Sequence, residues 1–415
     1  MIRQFFLSVL LFSVLMAPSL GHAVSPPWAT GQSRGQDLEV VLMTFDHGDQ
    51  IPTWFGHTAL MVRDKRFGAE RVYNYGMFSF APDMLVKFLM GRLEFWVAQT
   101  SYRGTIAVYK RESRGIREQV LNLSPEKRLE IAKFLDWNVQ PENRYYMYDH
   151  YFDNCATRIR DVIDQAVGGQ LKVAADKPAR YSLRGHTRRH TQRNPYVDFI
   201  LTFWMNHEID VPIKIWDEMF LPTELERVLD QNSYVNEKGE TVPLVLEKRV
   251  LAEGKRAEVP EAPNFAHPWF AILGGVLGGA GLGLRRLRAK QPDKRGVRIG
   301  LGAYFVFLGL LVGIPGLILG LFPFTEHTIT HWNVNLLLAS PLSALFMPFG
   351  AAIVFGSKRA ERWNERLLDV IAVLTILAVL AAPFVSQVYW LPLAFFVPFN
   401  LCLRGLGPLS FSRKS

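Results

Sequence analysis

From Phe265 to its end the chain is built of long apolar runs with short polar connections, and this limits the possible folds more than any other feature. The runs are Phe265–Leu284, Ile299–Phe322, Val334–Phe355, Leu367–Val385 and Val388–Leu403. A helix needs about 20 predominantly apolar residues to cross the hydrocarbon core. About five membrane helices are therefore expected over residues 265–415, the last being short and interrupted by Pro392 and Pro398. The connections Arg285–Arg298 and Ser357–Arg366 are rich in Arg and Lys, whereas Pro323–Asn333 has neither. Basic connections stay in the cytoplasm. That rule puts both of them and the Arg413-Lys414 tail inside, and everything before Phe265 outside.

The start of the chain agrees. Met1-Ile2-Arg3, the apolar stretch Phe5–Met16 and the small residues Gly21-His22-Ala23 read as an export signal over residues 1–23. An uncleaved N-terminal anchor would place the next segment on the same side. Residues 24–264 then form an exported domain with a helical C-terminal part, joined to the membrane region by the Pro-rich linker Ala257–Pro263. The charge follows this division. The chain carries +9 overall, and from Phe265 onward 14 Lys/Arg face 5 Asp/Glu, so the exported part balances to zero. The basic excess belongs to membrane-flanking loops, which need only anionic headgroups as partners. It gives no reason to expect nucleic acid.

Leu38–Phe45, Thr58–Val62, Arg71–Tyr75, Glu94–Thr100 and Thr105–Lys110 read as strands, and Pro82–Met90 as a helix. Ser124 can cap a helix with Pro125 at its first position. Asp153-Asn154 can cap another from Cys155 to about Val167, stopped by Gly168-Gly169. The segment Asn194–Asn232 looks mostly helical. Cys155 and Cys402 are the two cysteines, and they fall in different regions, so no disulfide is expected between them. An exported thiol without a partner is unusual in an oxidising compartment. At a helix start, unpaired N–H groups and the helix dipole favour its thiolate, and Arg158 and Arg160 add positive charge nearby. A small buried apolar cysteine is the alternative. His57, in Phe55-Gly56-His57-Thr58-Ala59-Leu60, is a candidate base at a strand start; a hydrogen-bonded core histidine is its alternative. His150 precedes the cysteine helix. His186 and His190 lie in an Arg-rich stretch that reads as a solvated or headgroup-facing surface. No metal-ligand spacing, nucleophile elbow or phosphate loop is present, and no cofactor is called for.

Three stretches together carry a family resemblance: Phe55-Gly56-His57-Thr58-Ala59-Leu60, Val72-Tyr73-Asn74-Tyr75-Gly76-Met77-Phe78 and Asp153-Asn154-Cys155-Ala156-Thr157. They resemble the exported domain of the Lnb-type lipoprotein N-acyltransferases. Their order also resembles the circularly permuted papain-like fold of NlpC-type hydrolases and the lecithin:retinol acyltransferase group. Asp210–Pro222 and the outer loop with Thr325-Glu326-His327 and Asn333-Val334-Asn335 extend the likeness to nearly the whole mature chain. The resemblance implies an α+β permuted papain-like exported domain followed by an all-α transmembrane bundle. It implies Cys155 as nucleophile, His57 as base and Asn74 as the residue that orients the imidazole. It also implies a phospholipid acyl donor and a lipoprotein acceptor at the bacterial inner membrane. His327, Glu326, Asn333, Asn335 and Tyr75 are the expected substrate-binding residues; interfacial polarity anchored by Trp332 is the alternative for the loop. Two other activities compete: an envelope cysteine hydrolase acting on lipid esters or peptidoglycan amides, and a non-enzymatic lipid-binding module.

Overall fold

The computed structural model describes residues 25–79, 84–264 and 268–405, except the side chains of residues 84, 85 and 88. The expected signal segment and the start of the helix expected from Pro82 lie outside these residues. The chain divides into two compact units. One comprises the described parts of Met1–Tyr181 and Pro212–Val259, the other those of Ser182–Val211 and Pro260–Ser415.

The first unit is α+β. Strands β1 (Leu38–Phe45), β2 (His57–Asp64), β3 (Ala69–Met77), β4 (Glu94–Thr100), β5 (Ile116–Leu121), β6 (Tyr145–Met147) and β7 (Val245–Ala252) form one sheet in the order β6-β4-β3-β2-β1-β5-β7. Every neighbouring pair is antiparallel. Its helices include α1 (Met84–Met90), α2 (Tyr102–Arg111), α3 (Pro125–Asn138) and α4 (Cys155–Ala166). Successive side chains of a strand face opposite ways, and here both faces are covered. Leu38, Val40, Leu42, Tyr73 and Tyr75 pack with Ile131 and Leu135 of α3 and Ile159 and Ile163 of α4. Val41, Met43, Phe45 and Met61 pack on the other face with Tyr109 of α2. This is why β1, at the centre, reads as an unbroken buried run rather than an alternating one.

Residues 105–110, with their β-branched and aromatic content, were expected as a strand and instead lie in α2. The cap decides it: Ser101 Oγ accepts the Gly104 N–H at 3.2 Å, and Thr105 and Tyr109, four apart, are the buried residues of one helix face. The helix expected after Ser124 begins at Pro125, with Ser124 Oγ accepting from the Lys127 N–H.

The second unit is helical. Helices α5 (Leu183–Thr191) and α6 (Pro195–Trp204) group with α7 (Trp269–Lys290), α8 (Arg295–Leu308), α9 (Phe346–Val354), α10 (Lys358–Ala381) and α11 (Trp390–Arg404). Among the described residues, three helices are long and apolar enough to cross a membrane: Trp269–Lys290, Arg295–Phe324 and Lys358–Phe384. Thr328–Leu337 and Pro341–Val354 form a further apolar pair bent by 67°, and α11 is a shorter apolar helix. Apolar burial gives little drive for association inside lipid, so small residues let backbones meet. A Cβ at Gly274 or Gly278 of α7 would collide with the carbonyls of Phe395 or Phe399 in α11. Gly302 of α8 and Gly350 of α9 are reciprocal, each leaving room for the other's carbonyl.

Candidate active site

Cys155 is the first residue of α4, and the helix start is tightly determined. Asn154 Oδ1 accepts the N–H groups of Ala156 and Thr157 at 2.8 and 3.0 Å, and Thr157 Oγ1 accepts the Asn154 N–H at 2.8 Å, completing a capping box. Asn154 Nδ2 also donates to the carbonyls of His150 and Phe220. One asparagine therefore ties the backbone at Cys155 to the loop before it and to Phe220. The backbone N–H groups of Thr58, Ala156 and Cys155 itself lie around the sulfur and favour its ionised form. Thr58 follows His57 directly, so the thiol sits against the start of the histidine strand.

His57 opens β2 opposite Phe45 of β1. Gly56 has a φ of +79°, and a Cβ there would press to 3.0 Å on the Phe45 carbonyl, so a glycine is needed to bring the chain into the strand. The imidazole lies parallel to Phe45 and Tyr109, with ring centroids at 5.9 and 6.3 Å. Asn74 of β3 holds its outer nitrogen. The Asn74 amide Nδ2 donates to Thr100 Oγ1 at 2.8 Å, leaving Oδ1 as an acceptor, and Oδ1 faces His57 Nε2 at 3.4 Å. That polarity makes Nε2 the protonated nitrogen and leaves the lone pair on Nδ1. Thr100 is itself fixed by Thr105 at 2.8 Å. The strand phase separates Asn74 from its neighbours. Tyr73 accepts from Trp28 Nε1 and Tyr75 donates to Asn138 Oδ1 at 2.7 Å, both within the opposite core.

The electrostatics differ from the expected stabilised thiolate. Burial pushes the Cys155 thiol up to about 11, outweighing the surrounding N–H groups and the positive charge of Arg114. Burial, then Arg114, lowers His57 to about 4, against the opposing hydrogen bond that His57 donates to Asn74. The resting pair is thus a thiol and a neutral imidazole. Arg158 and Arg160 are engaged by other groups. Arg158 makes a two-point pair with Asp153 at 2.6 and 2.8 Å, and Arg160 lies over the Trp216 ring. The nearby positive charge comes instead from Arg114, 2% exposed, whose guanidinium lies 4.6 Å from the Tyr109 ring centroid. Sequence gave no sign of Arg114: it sits in the turn after Ser113, a non-glycine residue at φ +55°, and nothing in its spacing links it to Cys155.

A pH profile checks this state. Only neutral His57 can take a proton, so attack by Cys155 should persist on acidification until pH nears about 4. Alkylation of the thiol by neutral iodoacetamide should keep rising toward about pH 11. An acid limb near the ordinary imidazole value of ~6.5 would contradict a desolvated base.

The remaining expected residues are dispersed. His150 packs among the rings of Phe55, Tyr151 and Phe220, with centroids at 4.4, 4.8 and 5.7 Å. Tyr75 is 1% exposed, and its hydroxyl is engaged by Asn138, so it supports the core beneath the site. Asn333 and Asn335 are buried, and their amides donate to the carbonyls of Phe203 and Trp204 at the end of α6. Glu326 is exposed, and half-buried His327 meets the Phe322 ring edge-on. His186 and His190, expected on a solvated surface, are 0% and 5% exposed within α5.

Residues 25–189 match the Lnb N-terminal periplasmic domain, and residues 296–412 match the Lnb transmembrane domain. No curated protein and no solved structure matches the chain. The two matched regions together cover more than half of the chain. The chain therefore belongs to the Lnb-type lipoprotein N-acyltransferase family, with its α+β domain in the periplasm and its apolar helices in the inner membrane.

Proposed function

We propose that this lipoprotein-modifying membrane enzyme moves an acyl chain from a phospholipid to the N-terminal amine of a lipoprotein through a thioester on Cys155. The observation that carries the reading is the fixed thiol at the start of α4 against the backbone N–H of Thr58, the residue after an imidazole that Asn74 orients. Cys155 Sγ attacks the phospholipid ester carbonyl while His57 Nδ1 takes the thiol proton. Collapse of the tetrahedral intermediate breaks the ester C–O bond, and His57 returns the proton to the departing alcohol. The amine of the lipidated cysteine then attacks the thioester. Its proton passes to His57, the C–N bond forms, and the sulfur leaves and is reprotonated. No metal or redox group enters this sequence of steps. Exposed Glu326 and half-buried His327 are the outer-loop residues best placed to meet a headgroup or the lipoprotein terminus, while Asn333 and Asn335 hold that loop to α6.

Mass spectrometry of lipoprotein N-termini decides between transfer and hydrolysis. Cells with the wild-type protein should carry an added amide-linked acyl chain that is missing with Cys155→Ala. Lysophospholipid release without N-acylation would instead establish a hydrolase.

Five membrane crossings, with the domain boundary near residue 265, remain part of the proposal. The basic connections Arg285–Arg298 and Ser357–Arg366 then share the cytoplasmic side with the C-terminus. A reporter fused after Ser415 is expected to be active only if it functions in the cytoplasm. Periplasmic activity would remove a crossing, and α11, of 15 residues, is the first that would be lost.

A further inference from the structure

The side chains around Cys155 include one polar group that the steps above leave unused. Tyr146, in β6, is 7% exposed, and its hydroxyl has no hydrogen-bond partner among the described residues. Leaving a buried hydroxyl without a partner is destabilising, so its retention calls for a reason. Its surroundings supply one. Gly76 of β3 has a φ of +90°, and its missing side chain leaves room for about one carbon atom there. A Cβ at that point would lie 3.9 Å from Cys155 Cβ and 4.0 Å from Tyr146 Oη. The Cys155 side chain, through its Cβ, and the unpaired hydroxyl therefore border the same small space. A carbonyl oxygen entering it would meet a donor as the sulfur attacked the adjoining carbon.

The tyrosine is held in place. The Arg158 guanidinium lies 3.9 Å from its ring centroid and is itself fixed by Asp153. Tyr75 meets the ring edge-on at 6.3 Å. On its strand, Tyr146 pairs with Phe95 of β4. Burial, and next the proximity of Cys155, keep the phenol protonated far above its ordinary range, so it donates without ever competing as an acid.

We propose that the Tyr146 hydroxyl donates a hydrogen bond to the carbonyl oxygen of the acyl group as negative charge develops there, both when the Cys155 thioester forms and when it is consumed. This rests on the thioester route and adds a catalytic residue to it. The proton stays on Tyr146 throughout, and the charge on the oxygen returns when the C–O or C–S bond breaks. The backbone N–H of Cys155 is the companion donor at the same helix start. A preorganised donor of this kind raises the rate of the chemical step with little effect on substrate affinity, because its bond strengthens only in the transition state.

The test uses the full-length protein in lipid nanodiscs containing phosphatidylethanolamine, with the acyl adduct on Cys155 followed by intact mass under single turnover. Tyr146→Phe keeps the ring and removes only the hydroxyl. Its acylation rate at saturating donor should fall by about 10²–10³-fold, the usual loss for one such donor, with the donor KM and the thermal midpoint little changed. A rate like that of the wild type, or a loss confined to KM, overturns the proposal. Should Tyr146→Phe fail to fold, 3-fluorotyrosine at position 146, a stronger donor of the same shape, decides: faster acylation supports the role and an unchanged rate overturns it. Wild type and Cys155→Ala run alongside. A wild type that never forms the adduct fails the thioester route and this role together, whereas a normal adduct in both wild type and Tyr146→Phe removes the Tyr146 role alone.

Discussion

Cys155→Ser and Cys155→Ala are expected to abolish acyl transfer while leaving the protein in the membrane. The serine variant is the more informative, because it differs from the wild type by one atom at a residue held by the Asn154 cap. A hydroxyl needs a far stronger base than a thiol. His57, lowered to about 4 chiefly by burial, is too weak a base to draw a proton from an alcohol. The same site that suits a thiol should therefore leave a serine inert, with a loss of roughly 10⁴-fold or more, as for removal of a nucleophile from other acyl-transfer enzymes. The measurement is single-turnover adduct formation together with complementation in cells lacking the gene. Folding of the variants is checked by their thermal midpoints, since replacing one partly buried side chain leaves the capping box intact. Full activity in either variant would end the covalent mechanism.

The parts of this site that are legible in the sequence are those written in local chemistry. Asn154 and Cys155 form a helix start that caps announce, and it lies at the expected residue. Gly56-His57 marks a strand entry, and alternation along β3 puts Asn74, rather than Tyr73 or Tyr75, on the face toward His57. What sequence does not show is produced by burial and by chain segments meeting from afar. The thiol is not activated at rest because desolvation outweighs the helix-start N–H groups. Arg114 and Tyr146 reach the site from a turn and an edge strand, 41 and 9 residues from Cys155 in number, without a motif. The Arg-rich stretch of α5 shows the same effect in reverse. Its charges read as a surface, yet Arg184 and Arg188 are 3% and 2% exposed, since Asp210 and Asp198 neutralise them. Arg184 also donates to the carbonyls of Met205 and Asn206 beyond α6. Burying charge is costly unless it is paired and hydrogen-bonded; those partners, 10 and 26 residues ahead, have no spacing that a helical pattern could reveal.

His57→Ala is expected to lose far more activity than His150→Ala, with Asn74→Ala between them. A general base is worth ~10²–10⁴-fold. With the thiol pushed up to about 11, little thiolate exists at neutral pH, and the reaction depends on His57 to remove the proton as the C–S bond forms. It depends on the same ring again to protonate the leaving alcohol. Asn74 does neither. It accepts from Nε2 and so keeps the lone pair on Nδ1, and its own orientation is set by Thr100 and Thr105. Losing it frees the ring between tautomers without removing the base. The ring would still lie beside the stacked pair Phe45 and Tyr109, so part of the activity should survive. His150 is enclosed by Phe55, Tyr151 and Phe220, and its link to the nucleophile runs through its backbone carbonyl, which accepts from Asn154. Alanine keeps that carbonyl, so His150→Ala should lower stability before it lowers the chemical step. Single-turnover formation of the Cys155 thioester separates the three, because the overall rate can be limited by lipid exchange. A deeper chemical defect in His150→Ala than in His57→Ala would move the base to the loop before α4 and leave the His57–Asn74 hydrogen bond as part of the core alone.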